Sequence, residues 1–393
     1  MRISDQEFNR LTVLKRLRAA QPVSRTELAR LSGLTGGTIT AIVADMVERG
    51  LIIEEKIAAG NRGRPKVHLS INPQAAFVVG ATLRSDLEGA LVIDIADLAG
   101  NSIFGQIASL SETTLWDNLA EQYAAAIANC VAASPVNRSE IAQVGIGLSA
   151  IVDNRNGIAI KMETFEPGPF PFAEAVAIRL GIPVRLDNIM NLLARAEYWF
   201  GGAIGVEDFT MVYLDLGLGA GSYRGGQLVT GSHGIEAELG HTKIVVDDGR
   251  HCHCGADGCL QAYCSISGIV GQYRDAQNLP TLPYFQLSAA LAEMASKARS
   301  GDPAALDIFH RAGRYLGIAI ANHINMQDPE RVVILCRESD FVTLIDAPFF
   351  ESLERNTLPT LYDRAKVSFG ELAPQSFAKG AVAMVLEQIY QAY

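Results

Sequence analysis

A chain of 393 residues, 49% hydrophobic and 19% charged, is globular rather than disordered and too long for one core, so two or three domains are expected. No apolar run approaches the roughly 20 residues that span a bilayer, the start MRISDQEFNR lacks a signal-peptide core, and six irregularly spaced cysteines suit a reducing cytoplasm, which argues against membrane insertion and secretion. The net charge of −10 is uneven: residues 1–70 hold 12 Lys and Arg against 7 Asp and Glu, the remainder 21 against 36, so only a basic head is suited to a polyanion.

Residues 7–20 place Phe8, Leu11, Val13, Leu14 and Leu17 near helical spacing, and Pro22 ends that helix. Ser24 then caps a second short helix through Leu31, with Glu27 three residues on in the capping-box pattern. Ser32-Gly33-Leu34 forms a tight turn, and Thr35 caps a third helix carrying Ile39, Ile42, Val43, Met46 and Val47. Two short helices across a glycine turn describe a helix-turn-helix. Side chains at the start of its second helix, Thr35, Thr38 and Thr40, reach base edges, and with Ser24, Arg25 and Gly37 they are the expected contacts to double-stranded operator DNA. Gly36 and Gly37 are poor helix formers; either they permit close approach to DNA or they weaken the first turn. LIIEEKIAAGNRGRPKVHLSI then reads as a winged hairpin. At its tip Arg62 and Arg64 suit the negative potential of a narrow minor groove, the plain alternative being a solvated basic turn. Asn72-Pro73 ends the wing and sets a DNA-binding domain at 1–72.

The body repeats a theme. FVVGATL and GALVIDIADL read as strands, followed by a helix over about 114–133 and the strand QVGIGLSAIVD. A second round is read in IPVRLDN, a helix over 191–200, and FTMVYLDLGLGAGSYRGGQLV. Strand, strand, helix and strand, given twice, predict two α/β lobes, at 73–195 and 196–393. The glycines of Asp215-Leu216-Gly217-Leu218-Gly219-Ala220-Gly221 fit a phosphate loop, but a tight hairpin uses the same spacing.

The densest chemistry lies in GIEAELGHTKIVVDDGRHCHCGADGCLQAYC, where Cys252, Cys254 and Cys259 fall within eight residues. Zn²⁺ takes four thiolate or imidazole ligands in a tetrahedron, and the Gly-Ala-Asp-Gly linker lets the chain fold back around an ion. His241, His251 and His253 all remain candidates for the fourth ligand, and reduced thiols or a disulfide are the alternatives to metal.

GIEAELGH followed by CHCGADGCLQ resembles the Glu-x-Gly-His and Cys-x-Cys-Gly-x-x-Gly-Cys-Leu-Glu signature of the ROK family of sugar kinases and sugar-responsive repressors. The resemblance runs from about residue 10 to the C-terminus. It implies an α/β chain with a winged helix-turn-helix ahead of a two-lobed actin-like sugar-kinase body. It also implies a structural Zn²⁺ on His241, Cys252, Cys254 and Cys259, favouring His241 over its neighbours. Matched residue by residue, the family's sugar ligands fall on Asn188, Glu238, His241 and Gln261, with capping and solvation as the plain roles of Asn188 and Glu238.

Two parts of the family's phosphoryl-transfer apparatus do not match. The first phosphate turn reads Val79-Gly80-Ala81-Thr82-Leu83-Arg84-Ser85-Asp86, without the paired glycines and their preceding aspartate. Anchored on Ala196, Glu197, Phe200 and Gly201, the family's general base falls on Ile189, which accepts no proton. A two-residue slip would put Asp187 there, leaving Asn188 and Asn191 without counterparts. No catalytic residue is assigned. The expectation is a cytoplasmic repressor of carbohydrate-metabolism genes, a homodimer or homotetramer controlled by a small-molecule sugar effector. Because Ile189 and Gln261 remove two negative charges, that effector is expected to be modified, deoxy, less hydroxylated or acidic. The alternative is an active ATP-dependent sugar kinase with a fused DNA-binding head.

Overall fold

The computed structural model describes residues 5–57, 66–83, 89–162, 165–232, 234, 237–337 and 339–392; Arg62 and Arg64 of the expected wing tip lie outside them. The chain divides into two compact units: unit 1 takes residues 1–83, 89–199 and 377–393, and unit 2 takes 84–88 and 200–376.

In the head of unit 1, α1 (Asp5–Ala20) buries Leu11, Val13, Leu14 and Leu17. β1 (Val23–Ser24) leads into α2 (Arg25–Ser32), where Ser24 Oγ accepts the Glu27 N–H at 3.3 Å and satisfies one of the orphan donors of the first turn. Gly33 closes α2 at φ +69°, a left-handed conformation that costs glycine little. α3 (Gly36–Glu48) starts at Thr35, whose Oγ1 accepts the Thr38 N–H at 3.2 Å, and turns Ile39, Ile42, Val43 and Met46 inward. β2 (Ile52–Ile57) and β3 (Lys66–Ile71) pair antiparallel as the wing, and β1 extends the sheet with Val23 opposite Leu69.

The rest of unit 1 runs β4 (Phe77–Leu83), β5 (Ala90–Asp97), β6 (Ser102–Ser109), α4 (Trp116–Ala133), β7 (Ile141–Leu148), β8 (Ile151–Asp153), β9 (Ile158–Lys161), α5 (Phe172–Leu180), β10 (Val184–Asn188) and α6 (Ile189–Phe200). Among the described residues its main sheet has the order β10-β7-β4-β5-β6, with β7 parallel to both β4 and β10. Two features depart from the expected repeat. β6 is an edge strand with Ile103 and Ile107 exposed, so no sustained apolar run announces it. β10 and α6, assigned above to the second round, belong to unit 1, because Val184 pairs parallel beside Val144.

Unit 2 contains β11 (Phe209–Leu214), β12 (Leu218–Arg224), β13 (Gln227–Leu228), α7 (Gln261–Cys264), α8 (Ile266–Ala276), α9 (Leu287–Arg299), α10 (Pro303–Gln327), β14 (Arg331–Cys336), α11 (Ser339–Asn356), α12 (Pro359–Tyr362) and β15 (Lys366–Glu371). Its sheet has the order β13-β12-β11-β14-β15. A core of Val212, Leu214, Ile269, Phe309, Leu316, Ile320 and Ile334 joins sheet to helices. Among the described residues no helix is long and apolar enough to cross a membrane.

α13 (Ser376–Ala392) then returns to unit 1, so the second lobe does not extend to residue 393 as expected. It lies so close to the sheet that a Cβ at Gly80 would stand 2.2 Å from the Ala378 carbonyl oxygen, and one at Gly145 2.4 Å from that of Ala381. Backbone on both sides leaves nothing flexible to yield. Gly80→Val is accordingly expected to cost about 3 kcal/mol, read as a fall of roughly 10 °C in the calorimetric transition. An unchanged transition would contradict this packing.

Candidate functional site

The segment from Glu238 to Cys264 is shaped by short backbone bonds rather than by regular structure. Leu260 N–H donates to Thr242 O at 2.9 Å, Gly258 N–H to Arg250 O at 2.8 Å, and Cys252 N–H to Ala256 O at 2.9 Å. Gly258 sits at φ +76°, where a Cβ would meet the Val245 carbonyl oxygen at 1.8 Å; only glycine fits this crossing. The fold-back brings one ligand atom from each of His241, Cys252, Cys254 and Cys259 within 4.8 Å of one another.

Cys252 Sγ lies 3.7 Å from His241 Nδ1, and Cys254 Sγ 3.7 Å from Cys259 Sγ. A tetrahedral zinc with Zn–S of about 2.3 Å and Zn–N of about 2.0 Å needs ligand atoms about 3.5–3.8 Å apart. A disulfide needs about 2.05 Å, and all six cysteines are free. Of the other two histidines, His251 is bound at the surface, and His253 sits beside the cluster with Nδ1 4.0 Å from Cys252 Sγ but shared with Gln261. His251 Nδ1 lies 2.9 Å from Asp257 Oδ1, and His253 Nδ1 lies 2.9 Å from Gln261 Nε2. Burial lowers the His241 pKa and keeps its imidazole neutral, as a ligand requires. Burial pushes the Cys252 thiol up to about 12, so a thiolate there needs a compensating positive charge. Lys243, absent from the sequence reading, places Nζ 3.2 Å from Cys259 Sγ and donates to Asp257 O at 2.6 Å.

The expected effector residues do not all present free groups. Glu238 is the exposed member, and its Oε2 lies 3.9 Å from His241 Nε2, the nitrogen turned away from the thiols. Gln261 is buried; its Oε1 accepts the Leu218 N–H at 3.2 Å. Asn188 belongs to unit 1 and is occupied there: its Oδ1 caps α6 by accepting the Met190 N–H at 2.7 Å, and its Nδ2 donates to Ala150 O at 2.7 Å. Within unit 2, Glu238 also lines a cavity of about 740 Å³ floored by Thr210 Oγ1 and His323 Nε2, 2.7 Å apart; Asn188, His241 and Gln261 are not among its lining residues.

Beside Asn188, Asp187 is buried and committed. Its Oδ1 accepts from Asn188 N–H at 2.8 Å, Asn191 Nδ2 at 2.7 Å and Asn154 Nδ2 at 3.2 Å, while Oδ2 lies 3.3 Å from Arg195 Nη2. Ile189, 8% exposed, opens α6. In unit 2 the Gly217 run forms the β11–β12 hairpin, and its Asp215 pairs with Arg337 at 2.6 Å.

In the head, Thr35, Gly36, Gly37 and Thr40 are exposed at the start of α3, and Thr38 is half-buried. Ser24 and Thr35 serve as caps, and Arg25 pairs with Glu54, so these three side chains also hold the fold. Nothing but Thr35 Oγ1, at 3.9 Å, approaches a Cβ built at Gly37. Steric need inside the protein therefore does not explain this glycine.

The sequence pattern of the ROK family matches residues 104–386. The chain belongs to the ROK family. A second pattern, of winged helix-turn-helix DNA-binding domains, matches residues 9–53 of this ROK protein. It is similar to the DNA-binding transcriptional repressor Mlc of Escherichia coli K12, 28% identical over 375 residues, which cover 94% of this chain and 90% of that one. A putative xylose repressor of Caldicellulosiruptor sp. Rt8B.4 is 26% identical over 400 residues, covering 98% and 96%. Among solved structures, a ROK family transcriptional regulator described as a homolog of the E. coli MLC protein superposes with a TM-score of 0.80 at 26% identity, covering 98% and 96%. Both patterns therefore occur in one chain whose similarity to these proteins extends over nearly its whole length.

Proposed function

We propose that this ROK protein is a sequence-specific DNA-binding regulator, a repressor of carbohydrate-metabolism genes, governed by a sugar or sugar derivative. One observation carries the reading: a winged head with an exposed α3 start is joined to a ROK body, and nearly the whole chain is similar to named repressors. The head, residues 1–72, supplies Ser24, Arg25, Thr35, Gly37, Thr38 and Thr40 to bases and phosphates, and Arg62 and Arg64 to the minor groove. A homodimer or homotetramer in the cytoplasm presents paired heads to paired half-sites. Chemistry at the body argues against phosphoryl transfer. Ile189 stands where a base is needed, and Asp187 already accepts three hydrogen bonds and faces Arg195.

Zn²⁺ is the ion that fits three thiols and one imidazole at tetrahedral spacing, and its contribution is a structural cross-link of the loop. His241 would hold it through Nδ1 and keep Nε2 for Glu238 or an effector hydroxyl. Within unit 2, Glu238 and the Nε2 side of His241 supply polar groups for the effector. Gln261 contributes by fixing the His253 side chain and the β11–β12 turn.

A duplex chosen by in vitro selection on the purified protein provides the test. Retention with a Kd of about 10⁻⁸ M or below near physiological salt, and release by at least one member of a panel of neutral, amino and acidic monosaccharides, are the expected results. Retention indifferent to every sugar, or ADP formation above background with any of them, would sink the reading.

A further inference from the structure

We propose that Arg195 and Glu387 are positioning residues for DNA binding, the two middle links of a buried chain of alternating charges that runs from Asp187 to Lys15 and sets how α1 holds the head on its lobe. The links are all within unit 1. Asp187 Oδ2 at the end of β10 lies 3.3 Å from Arg195 Nη2 on α6, Arg195 Nη1 lies 3.6 Å from Glu387 Oε2 on α13, and Glu387 Oε1 accepts from Lys15 Nζ on α1 at 2.8 Å. The side chains are 1%, 12%, 14% and 14% exposed in that order. Burial alone would raise the Glu387 pKa, but Lys15 on one side and Arg195 on the other outweigh it and hold the carboxyl below its usual value.

Around the charges, α1 makes further directional contacts with α6, and α6 with α13. Lys15 lies over the Tyr198 ring at 4.9 Å, and Arg18 over Trp199 at 4.6 Å while donating to the Trp199 carbonyl. Trp199 packs on Tyr390 at 5.3 Å, and the Tyr390 hydroxyl donates to Leu98 O at 2.8 Å.

Stability alone does not explain this choice of residues. A buried ion pair rarely holds better than apolar side chains of the same volume, whereas losing one partner leaves a costly buried charge; what such pairs add is a preferred geometry. The chain also begins at an informative place. Asp187 accepts the Asn188 backbone N–H with Oδ1 and faces Arg195 with Oδ2, so a shift of the backbone where β10 meets α6 moves the carboxylate that anchors Arg195.

This inference rests on the regulator reading above, and the experiment separates the two. The selected duplex is titrated with the full-length protein and with Lys15→Met, Glu387→Gln, Asp187→Asn, the Lys15→Met/Asp187→Asn double variant, and the swap Lys15→Glu/Glu387→Lys. Lys15→Met and Glu387→Gln are expected to weaken DNA binding by about tenfold or more, and the swap to recover most of that loss. Two links stand between Lys15 and Asp187, so a purely structural role predicts additive effects on affinity; a connected chain predicts a double variant well short of the product of the singles. Additivity, or single variants within twofold of wild type, overturns the inference. Should calorimetry show that the single variants unfold, the swap decides: recovered folding with recovered affinity and sugar response upholds it, and recovered folding without them overturns it. Wild-type protein that retains no duplex defeats the regulator reading and this inference together; wild type that binds and responds to sugar while the variants match it defeats this inference alone.

Discussion

Cys259→Ala is expected to yield protein without bound zinc and with a destabilised unit 2, whereas wild type carries one zinc per chain by elemental analysis. Cys259 is fully buried, and its sulfur faces Cys254 Sγ at 3.7 Å inside the four-residue cluster. Removing one ligand leaves a three-coordinate remnant in which Cys252, with its raised pKa, takes back its proton. Unit 2 keeps its own apolar core, so the loss is expected at about 4 kcal/mol rather than the full binding energy of a small zinc-dependent fold. In a unit of this size that is a fall of roughly 10 °C in its transition, and a strong chelator should reproduce it in wild type. His251→Ala serves as control: its ring bonds Asp257 at the surface, and zinc content should stay at one. Full zinc retention by Cys259→Ala, or its absence from wild type, defeats the assignment.

The second large effect is expected at the wing. Replacing Arg62 and Arg64 together with alanine should weaken binding to the selected duplex about a hundredfold, from the loss of two charged groove contacts of about 1–3 kcal/mol each. It should also lower the slope of log K against log salt by about 2 in magnitude, since each neutralised phosphate contributes about one counterion. Thermal stability is expected to stay unchanged. Leu14, Leu17, Leu28, Ile39 and Val43 are the head's buried residues. An unchanged salt slope would show that the tip is a solvated turn, leaving α3 alone to account for DNA contact.

What the sequence made legible was whatever is written locally. Ser24 and Thr35 cap α2 and α3 at the expected positions because a cap needs only a hydroxyl and a backbone N–H three residues on. The meeting of Cys252, Cys254 and Cys259 was readable for the same reason, through a short glycine-rich linker, whereas His241 as their partner came only from the family resemblance. The misses are long-range. β6 lies at a sheet edge and carries no buried stripe, so its pattern is that of a loop. β10 and α6 read as the start of a second round, although the expected bounds 73–195 already kept β10 and most of α6 in the first lobe, where pairing with β7 holds them. Nothing in a run such as residues 376–392 says that its glycine-lined seat is 230 to 300 residues earlier, at Gly80 and Gly145. Gln261 illustrates the opposite error. Its place in the family signature suggested an open sugar contact, but its amide oxygen receives the Leu218 N–H and its nitrogen meets His253.

The return of α13 to the first lobe has a consequence for biosynthesis. The lobe that carries the DNA-binding head cannot close over Gly80 and Gly145 until residues 377–392 have cleared the ribosome, by which time the whole of unit 2 has emerged and had time to fold. Nascent or prematurely terminated chains are therefore left with an open sheet face over Gly80 and Gly145. Synthesis itself ensures that a chain becomes a firm mount for its head only after the portion bearing the cysteine loop has been made.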